Sequence, residues 1–181
     1  GDEHRLLVVG GKVVAANKGE VASIVGDGVH TVEELIESQI NSDPRRGEEE
    51  DFPLDTVRLK DHTTAVLELK RQGLTGQSVP EKDRHVLVMR TGNMAMDVTD
   101  LVHPDVAEMA ALAARIVGLD IAGVDLVAQD ISKPMKAQGA AIVEVNAGPG
   151  LLMHLKPASG SPRPVGQAIA AHLFDDNSEP R

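Results

Sequence analysis

The chain has 181 residues, 41% of them hydrophobic, and a formal net charge of -10. That length can bury a sizeable core and fits one domain or a large part of one, while the acidic balance opposes binding to nucleic-acid backbones and anionic lipid. Phe52 and Phe174 are its only aromatics and cysteine is absent, which removes base-stacking platforms, disulfides and thiolate metal sites.

No apolar run approaches the length of a membrane span, and no basic-then-apolar leader opens the chain. The expectation is an acidic α/β (α+β) protein of the cytoplasm, with no nucleic-acid and no membrane partner. Leu6-Leu7-Val8-Val9 and Val13-Val14-Ala15-Ala16 are apolar runs joined by Gly10-Gly11, a hairpin pattern. A complete domain seldom starts inside a hairpin, so further residues are expected upstream.

Gly26-Asp27-Gly28 marks a turn, and Thr31 with Glu34 has the spacing of a capping box. Val32, Leu35, Ile36 and Ile40 then recur at helical spacing, which predicts a helix over about 32–41. The Gly26–Thr31 stretch lacks the third glycine of a dinucleotide loop, so a Rossmann site is not supported. Residues 41–56 read as a charged, turn-rich loop. Within it, Asp43-Pro44-Arg45-Arg46-Gly47 is either a solvated turn balanced by the following acids or a contact for an acidic polymer.

A second helix is predicted over about 64–72, stopped by Gly73. Strands are predicted over 85–89 and 94–98, with Thr91-Gly92-Asn93 turning between them. A third helix spans about 104–117, with Pro104 in its first turn and Gly118 at its end. Strands over 121–128 and 140–146 are expected to pair, and a last helix over 164–174 precedes a polar, frayed tail at 175–181.

In an extended strand alternate side chains share a face. Glu144 and Asn146 are therefore expected on one side, with Val143 and Val145 on the other, toward a core. An antiparallel partner through Asp125 sets a second carboxylate beside them. Two carboxylates and an amide oxygen form a hard-oxygen set, suited to Mg²⁺ on nucleotide phosphates rather than to zinc. Solvated acids on an exposed sheet are the bland alternative. The seven histidines, at 4, 30, 62, 85, 103, 154 and 172, form no pair at helix-turn zinc spacing.

Val124-Asp125 followed by Ile142-Val143-Glu144-Val145-Asn146-Ala147-Gly148-Pro149-Gly150 resembles the C-terminal metal-binding signature of ATP-grasp ligases. Further stretches resemble the ATP-grasp domain of the cyanophycin synthetases. They include His4–Lys12, Val25–Thr31, Ile40–Gly47, Asp97–Asp100, Val102–Pro104, Gly118–Leu126, Gly150–His154 and Pro162–Gly166.

The resemblance implies an ATP-grasp C-terminal lobe over 1–174, a mixed, largely antiparallel sheet with helices packed on one face. It implies a ligase that phosphorylates the terminal carboxylate of poly-aspartate with ATP, so that the amine of a new aspartate attacks the acyl phosphate. Asp125, Glu144 and Asn146 match the Mg²⁺ (or Mn²⁺) ligands of the family, Glu144 and Asn146 also bordering the nucleotide. The His4-Arg5 pair matches one that borders the nucleotide and carboxylate site. Arg5 is thus the candidate catalytic residue, stabilising the transferring phosphoryl or the acyl-phosphate oxyanion, with a structural ion pair as its alternative. Arg90 is a weaker candidate for the same role.

The chain departs from the family in three places. The ATP-gripping lysines and glycine-rich loop of the upstream lobe are absent, as is any Gly-x-x-x-x-Gly-Lys-Ser/Thr of the downstream Mur-like domain. A Ser-Thr-Gly-Gly-containing loop is replaced by the shorter Thr91–Asp97. Lys18-Gly19-Glu20 stands where a basic residue followed by Pro-Ala is expected. The 181-residue chain is therefore expected to be inactive alone. Other ATP-grasp ligases, of the D-alanine–D-alanine or glutathione-synthetase type, and a non-catalytic nucleotide- or polymer-binding module are the rivals. Homo-oligomerisation is left open.

Overall fold

The structure, a computed structural model, describes residues 1–49, 52–89 and 94–174. The expectations for Arg90, for the turn at 91–93 and for the tail at 175–181 lie outside the described residues. In chain order the elements are strands β1 (Asp2–Val9), β2 (Lys12–Lys18) and β3 (Ala22–Val25), helix α1 (Val32–Gln39), and short strands β4 (Arg46–Gly47) and β5 (Leu54–Asp55). Helix α2 (Thr63–Arg71), strands β6 (His85–Met89) and β7 (Met96–Asp97), and helix α3 (Pro104–Val117) follow. Then come β8 (Ile121–Ala128), α4 (Met135–Gln138), β9 (Ala141–Ala147), α5 (Leu152–Leu155) and α6 (Val165–Leu173). They divide into two compact units, one of residues 1–19 with 94–181 and the other of residues 20–93.

The first unit is a five-stranded sheet in the order β7-β2-β1-β8-β9, every neighbouring pair antiparallel. Strand β1 is central, and its alternation decides both faces. Leu6 and Val8 pack with Val124 and Leu126 against Val106, Ala110 and Ala114 of α3. Leu7 and Val9 point the opposite way, toward Val165 and Ile169 of α6. Helices therefore cover both faces of this sheet, not one, because β1 is apolar at consecutive positions and each face needs its own cover. Helix α3 ends where Gly118 takes φ 82, a left-handed turn that a Cβ would strain.

The second unit pairs β3 with β6 and packs α1 and α2 on them, burying Ile24, Val32, Ile36, Leu69, Val86 and Val88. Strand β6 thus pairs with β3, a strand the sequence left unassigned, and not with the segment at 94–98, of which only Met96–Asp97 is strand, in the other sheet. A two-stranded sheet leaves two open edges. Here a glutamine closes each one. Gln39 exchanges two 2.8 Å hydrogen bonds with the backbone of Val25, and Gln72 bonds the N–H and carbonyl of Leu87 at 3.1 and 2.7 Å.

The capping box forms as expected: the Thr31 hydroxyl accepts from the Glu34 N–H, and the Glu34 carboxylate accepts the Thr31 N–H at 2.8 Å. Thr31→Ala is expected to cost about 1 kcal/mol. Urea denaturation followed by circular dichroism checks this, and an unchanged midpoint would show that α1 is held by packing alone.

The basic turn at 43–47 is not solvated throughout: Pro44 and Arg45 are exposed, but Arg46 turns inward. The Arg46 side chain is only 4% exposed, donating to the Ile40 and Asp55 carbonyls at 3.0 and 2.8 Å and pairing with Glu20. Its Nε and both terminal nitrogens are engaged. Arg46 is a pin for the turn.

Candidate functional site

The strand registers put four polar residues in one row across the sheet. Asn17 lies opposite Arg5, Arg5 opposite Asp125, and Asp125 opposite Glu144. Directly opposed residues share a face, so Asn17, Arg5, Asp125 and Glu144 emerge together. Asn146, two residues beyond Glu144, joins them. The three predicted metal ligands and the predicted catalytic arginine are thus brought to one patch. His4 is not among them. It turns to the opposite face, buried, with Nδ1 3.0 Å from the Asp2 carbonyl.

A β-bulge shapes the patch. The β8–β9 register runs from Asp125↔Glu144 to Leu126↔Ile142, leaving Val143 as the extra residue. Val143 is 68% exposed, which corrects the expectation that it faces the core. Ile142 and Val145, three apart, both pack toward α3 instead. Without the bulge those two would lie on opposite faces. The insertion keeps Ile142 in the core while Glu144 stays on the polar face.

Arg5 grips Asp125 side-on: Nε donates to Oδ1 and Nη2 to Oδ2, both at 2.6 Å. The two side chains are 22% and 19% exposed. The Asp125 bond raises the Arg5 pKa against the opposing effect of burial, so the guanidinium stays charged. Asn146 donates from Nδ2 to Asp125 Oδ2 at 3.1 Å, which leaves its amide oxygen as a remaining hard donor. Gly123 sits between these strands, and a Cβ there would meet the Pro149 ring at 2.9 Å and the Arg5 stem at 3.5 Å. Glycine at 123 lets the Gly148-Pro149-Gly150 turn fold down beside Arg5.

Asn17 and His154 are the site residues that sequence reasoning missed. Asn17 is fully buried, donating to the carbonyls of Met94 and Met153 at 3.0 and 2.8 Å. Its oxygen lies 2.6 Å from Nδ1 of the fully buried His154 on α5. A polar residue on the apolar β2 strand was a legible signal. The partner on α5, more than a hundred residues away, was not.

Asp97 and Arg163, quoted above in two separate motifs, form a clamp beside this patch. Arg163 donates to Asp97 at 2.6 to 3.1 Å and to Asp100 at 2.7 and 3.0 Å. Its own N–H donates to the His154 carbonyl at 2.8 Å. Burial works against the Asp97 charge, yet Arg163, Thr99 and the Ser161 N–H hold its pKa down to about 2.

Among the described residues no group of three or more His, Cys, Asp or Glu side chains is placed to hold a metal ion. The candidate set is two carboxylates and an amide, and its chemistry fits a hard cation that keeps waters and shares phosphate oxygens. Glu144 is exposed, and Asp125 is partly committed. Each carboxylate oxygen has two acceptor positions. Asp125 Oδ2 spends both, on Arg5 and Asn146, while Oδ1 spends one on Arg5.

Known proteins resemble the chain throughout. It is 44% identical to cyanophycin synthetase of Nostoc sp. (strain PCC 7120) over 186 aligned positions, covering all of this chain and 20% of that protein. It is 34% identical to the glutathione biosynthesis bifunctional protein of Clostridium perfringens, over 97% of this chain and 23% of that one. The crystal structure of a bifunctional glutathione synthetase from Pasteurella multocida matches with a TM-score of 0.67 and 32% identity, over 97% of this chain and 24% of that one. No family model matches. The chain thus spans about a fifth of the length of the relatives it matches. The likeness to cyanophycin synthetase read from separate motifs holds along the whole chain. The ATP-grasp-type α/β architecture expected from it holds too. Among the described residues no helix is long and apolar enough to cross a membrane.

Proposed function

We propose that this chain supplies the metal-and-phosphate side of an ATP- and Mg²⁺-dependent carboxylate–amine ligase of the cyanophycin synthetase kind. The observation that carries the reading is the row Arg5–Asp125–Glu144, with Asn146 beside it, assembled by three neighbouring strands. Asp125, Glu144 and Asn146 would hold Mg²⁺, or Mn²⁺ in its place, with Glu144 and Asn146 nearest the nucleotide. The ion, when bound, neutralises phosphate charge and orients the γ-phosphoryl for in-line transfer.

Arg5 lies beside that set as a cation, paired with Asp125 through two 2.6 Å hydrogen bonds. It would stabilise negative charge on a transferring phosphoryl or an acyl-phosphate oxygen. The acceptor carboxylate is that of an acidic polypeptide such as poly-aspartate and the nucleophile an aspartate amine, as the likeness to cyanophycin synthetase implies. The glutathione-type reading ranks second, at 34% identity against 44%.

Calorimetric titration of the chain with ATP, with and without Mg²⁺, tests the reading. Binding is expected to tighten with Mg²⁺. Glu144→Gln is expected to lose about tenfold of the Mg²⁺-dependent affinity, since one charged ligand contact is worth roughly that factor. Its metal-free ATP binding should not weaken, because the carboxylate removed repels phosphate when no cation lies between them. Nucleotide binding indifferent to Mg²⁺ would instead favour a non-catalytic module.

A further inference from the structure

His154 carries a buried nitrogen with no partner, and the hydrogen bonds around it fix what that nitrogen is. Asn17 Nδ2 donates to two carbonyls, those of Met94 and Met153. Its other terminal atom, facing His154, is therefore the oxygen, an acceptor. Nδ1 of His154, 2.6 Å away, must then carry the ring proton. Nε2 is left as a bare lone pair, buried and without a hydrogen-bond partner. An acceptor in that state is costly, and a donor that reached it would relieve the cost.

Arg5 is the donor at hand. It lies opposite Asn17 in the β1–β2 register, on the same face, and its charge bears on His154 together with burial. Its Nε and Nη2 are both on Asp125, and Nη1 makes no hydrogen bond among the described residues. Asp125 has a single acceptor position unspent, on Oδ1. A cation drawing on that carboxylate competes with the guanidinium for it.

We propose that His154 is a positioning residue for Arg5, its Nε2 lone pair receiving the guanidinium when Asp125 turns to a metal ion. The inference rests on the metal reading of Asp125, Glu144 and Asn146 given above. The neutral imidazole would hold Arg5 beside the site without cancelling its charge, as a second carboxylate would. Asn17 is the part that makes this work, because it dictates which ring nitrogen stays bare.

The test labels the histidines of the 181-residue chain with ¹⁵N and adds Mg²⁺, then Mg²⁺ with a non-hydrolysable ATP analogue. The His154 Nε2 resonance is expected to move from the position of a bare ring nitrogen toward that of a hydrogen-bond acceptor. Two variants isolate the nitrogen. His154→Asn keeps a donor for Asn17 but, being shorter, has no acceptor at the Nε2 position, and should bind the Mg²⁺–nucleotide about tenfold more weakly. His154→Gln restores an acceptor near Nε2 and should bind within about twofold of wild type. Amide spectra show whether each variant is folded, and if His154→Asn is not, the wild-type resonance decides. Metal-dependent binding by wild type with an unmoved Nε2 resonance, or with His154→Asn binding as tightly, overturns this inference alone. Absence of metal-dependent binding by wild type overturns the metal reading and this inference with it.

Discussion

Asp125→Ala is expected to destabilise the folded chain by about 2 kcal/mol and to abolish metal-dependent nucleotide binding. Two effects act at once. Loss of the carboxylate strands the Arg5 guanidinium, which is about four-fifths buried and otherwise paired through two 2.6 Å bonds. Breaking a fully buried pair typically costs about 3–5 kcal/mol and an exposed one about 0–1. A pair with a fifth of its surface open to solvent lies between. Asn146 also loses its acceptor on Asp125. The decisive measurement is a cycle of Asp125→Ala, Arg5→Met and the double variant by urea denaturation. Arg5→Met keeps an apolar stem beside Pro149 while deleting the charge. The double variant should be more stable than the sum of the two single losses predicts, because it strands neither ion. Strict additivity would mean that the pair is an accident of proximity.

Which parts of this site were legible follows from the range of the signals. The hairpin, the capping box, the Pro104-to-Gly118 helix and the Asp125–Glu144 strand pair are local patterns, and each formed where its pattern lay. The bulge at Val143 was not legible, since strict alternation assigns Val143 and Val145 to one face. Only the competing need to bury both Ile142 and Val145 reveals the extra residue. Pairing of β3 with β6 across sixty residues leaves no local mark either, and Ala22–Val25 is too short to show a period. The four-residue helices α4 and α5 fall below the length at which helical periodicity can be counted. The same limit hid His154, whose place in the site depends on α5 folding over Asn17.

Arg5 and His4 show how two adjacent residues with similar chemistry part company. The family resemblance places them together as a pair beside the nucleotide. A strand sends neighbours to opposite faces, so Arg5 reaches Asp125 while His4 is buried with its ring on the Asp2 carbonyl. Arg46 makes a related point in the other unit. A basic, turn-borne residue looks like a surface charge until its turn closes, when three nitrogens find partners at once. Charge in a loop is thus evidence for a contact, and the structure decides whether that contact is internal.

The chain should lose about 3 kcal/mol of stability as pH falls from 7 to about 4, most of it traceable to His154. Burial, then the Arg5 charge, push the His154 pKa down from its ordinary 6.5 to about 4. In the unfolded chain the same ring takes up its proton near 6.5. Between those values the unfolded state holds the extra proton, so stability rises with pH there and falls with acid. The contribution is intact above about pH 6.5 and lost progressively down to about pH 4, at about 1.4 kcal/mol per pH unit of separation. His4, lowered first by burial, acts in the same direction. The carboxylates act later: Asp97, held down to about 2 from 3.8, gives up its share only below about pH 4. Urea midpoints of wild type and His154→Gln at pH 7.5, 6, 5 and 4.5 separate the two windows. The variant is expected to start lower and to decline less steeply above pH 4.5. Parallel curves would show that His154 titrates normally in the folded chain, and the bare-nitrogen argument would fall with that result.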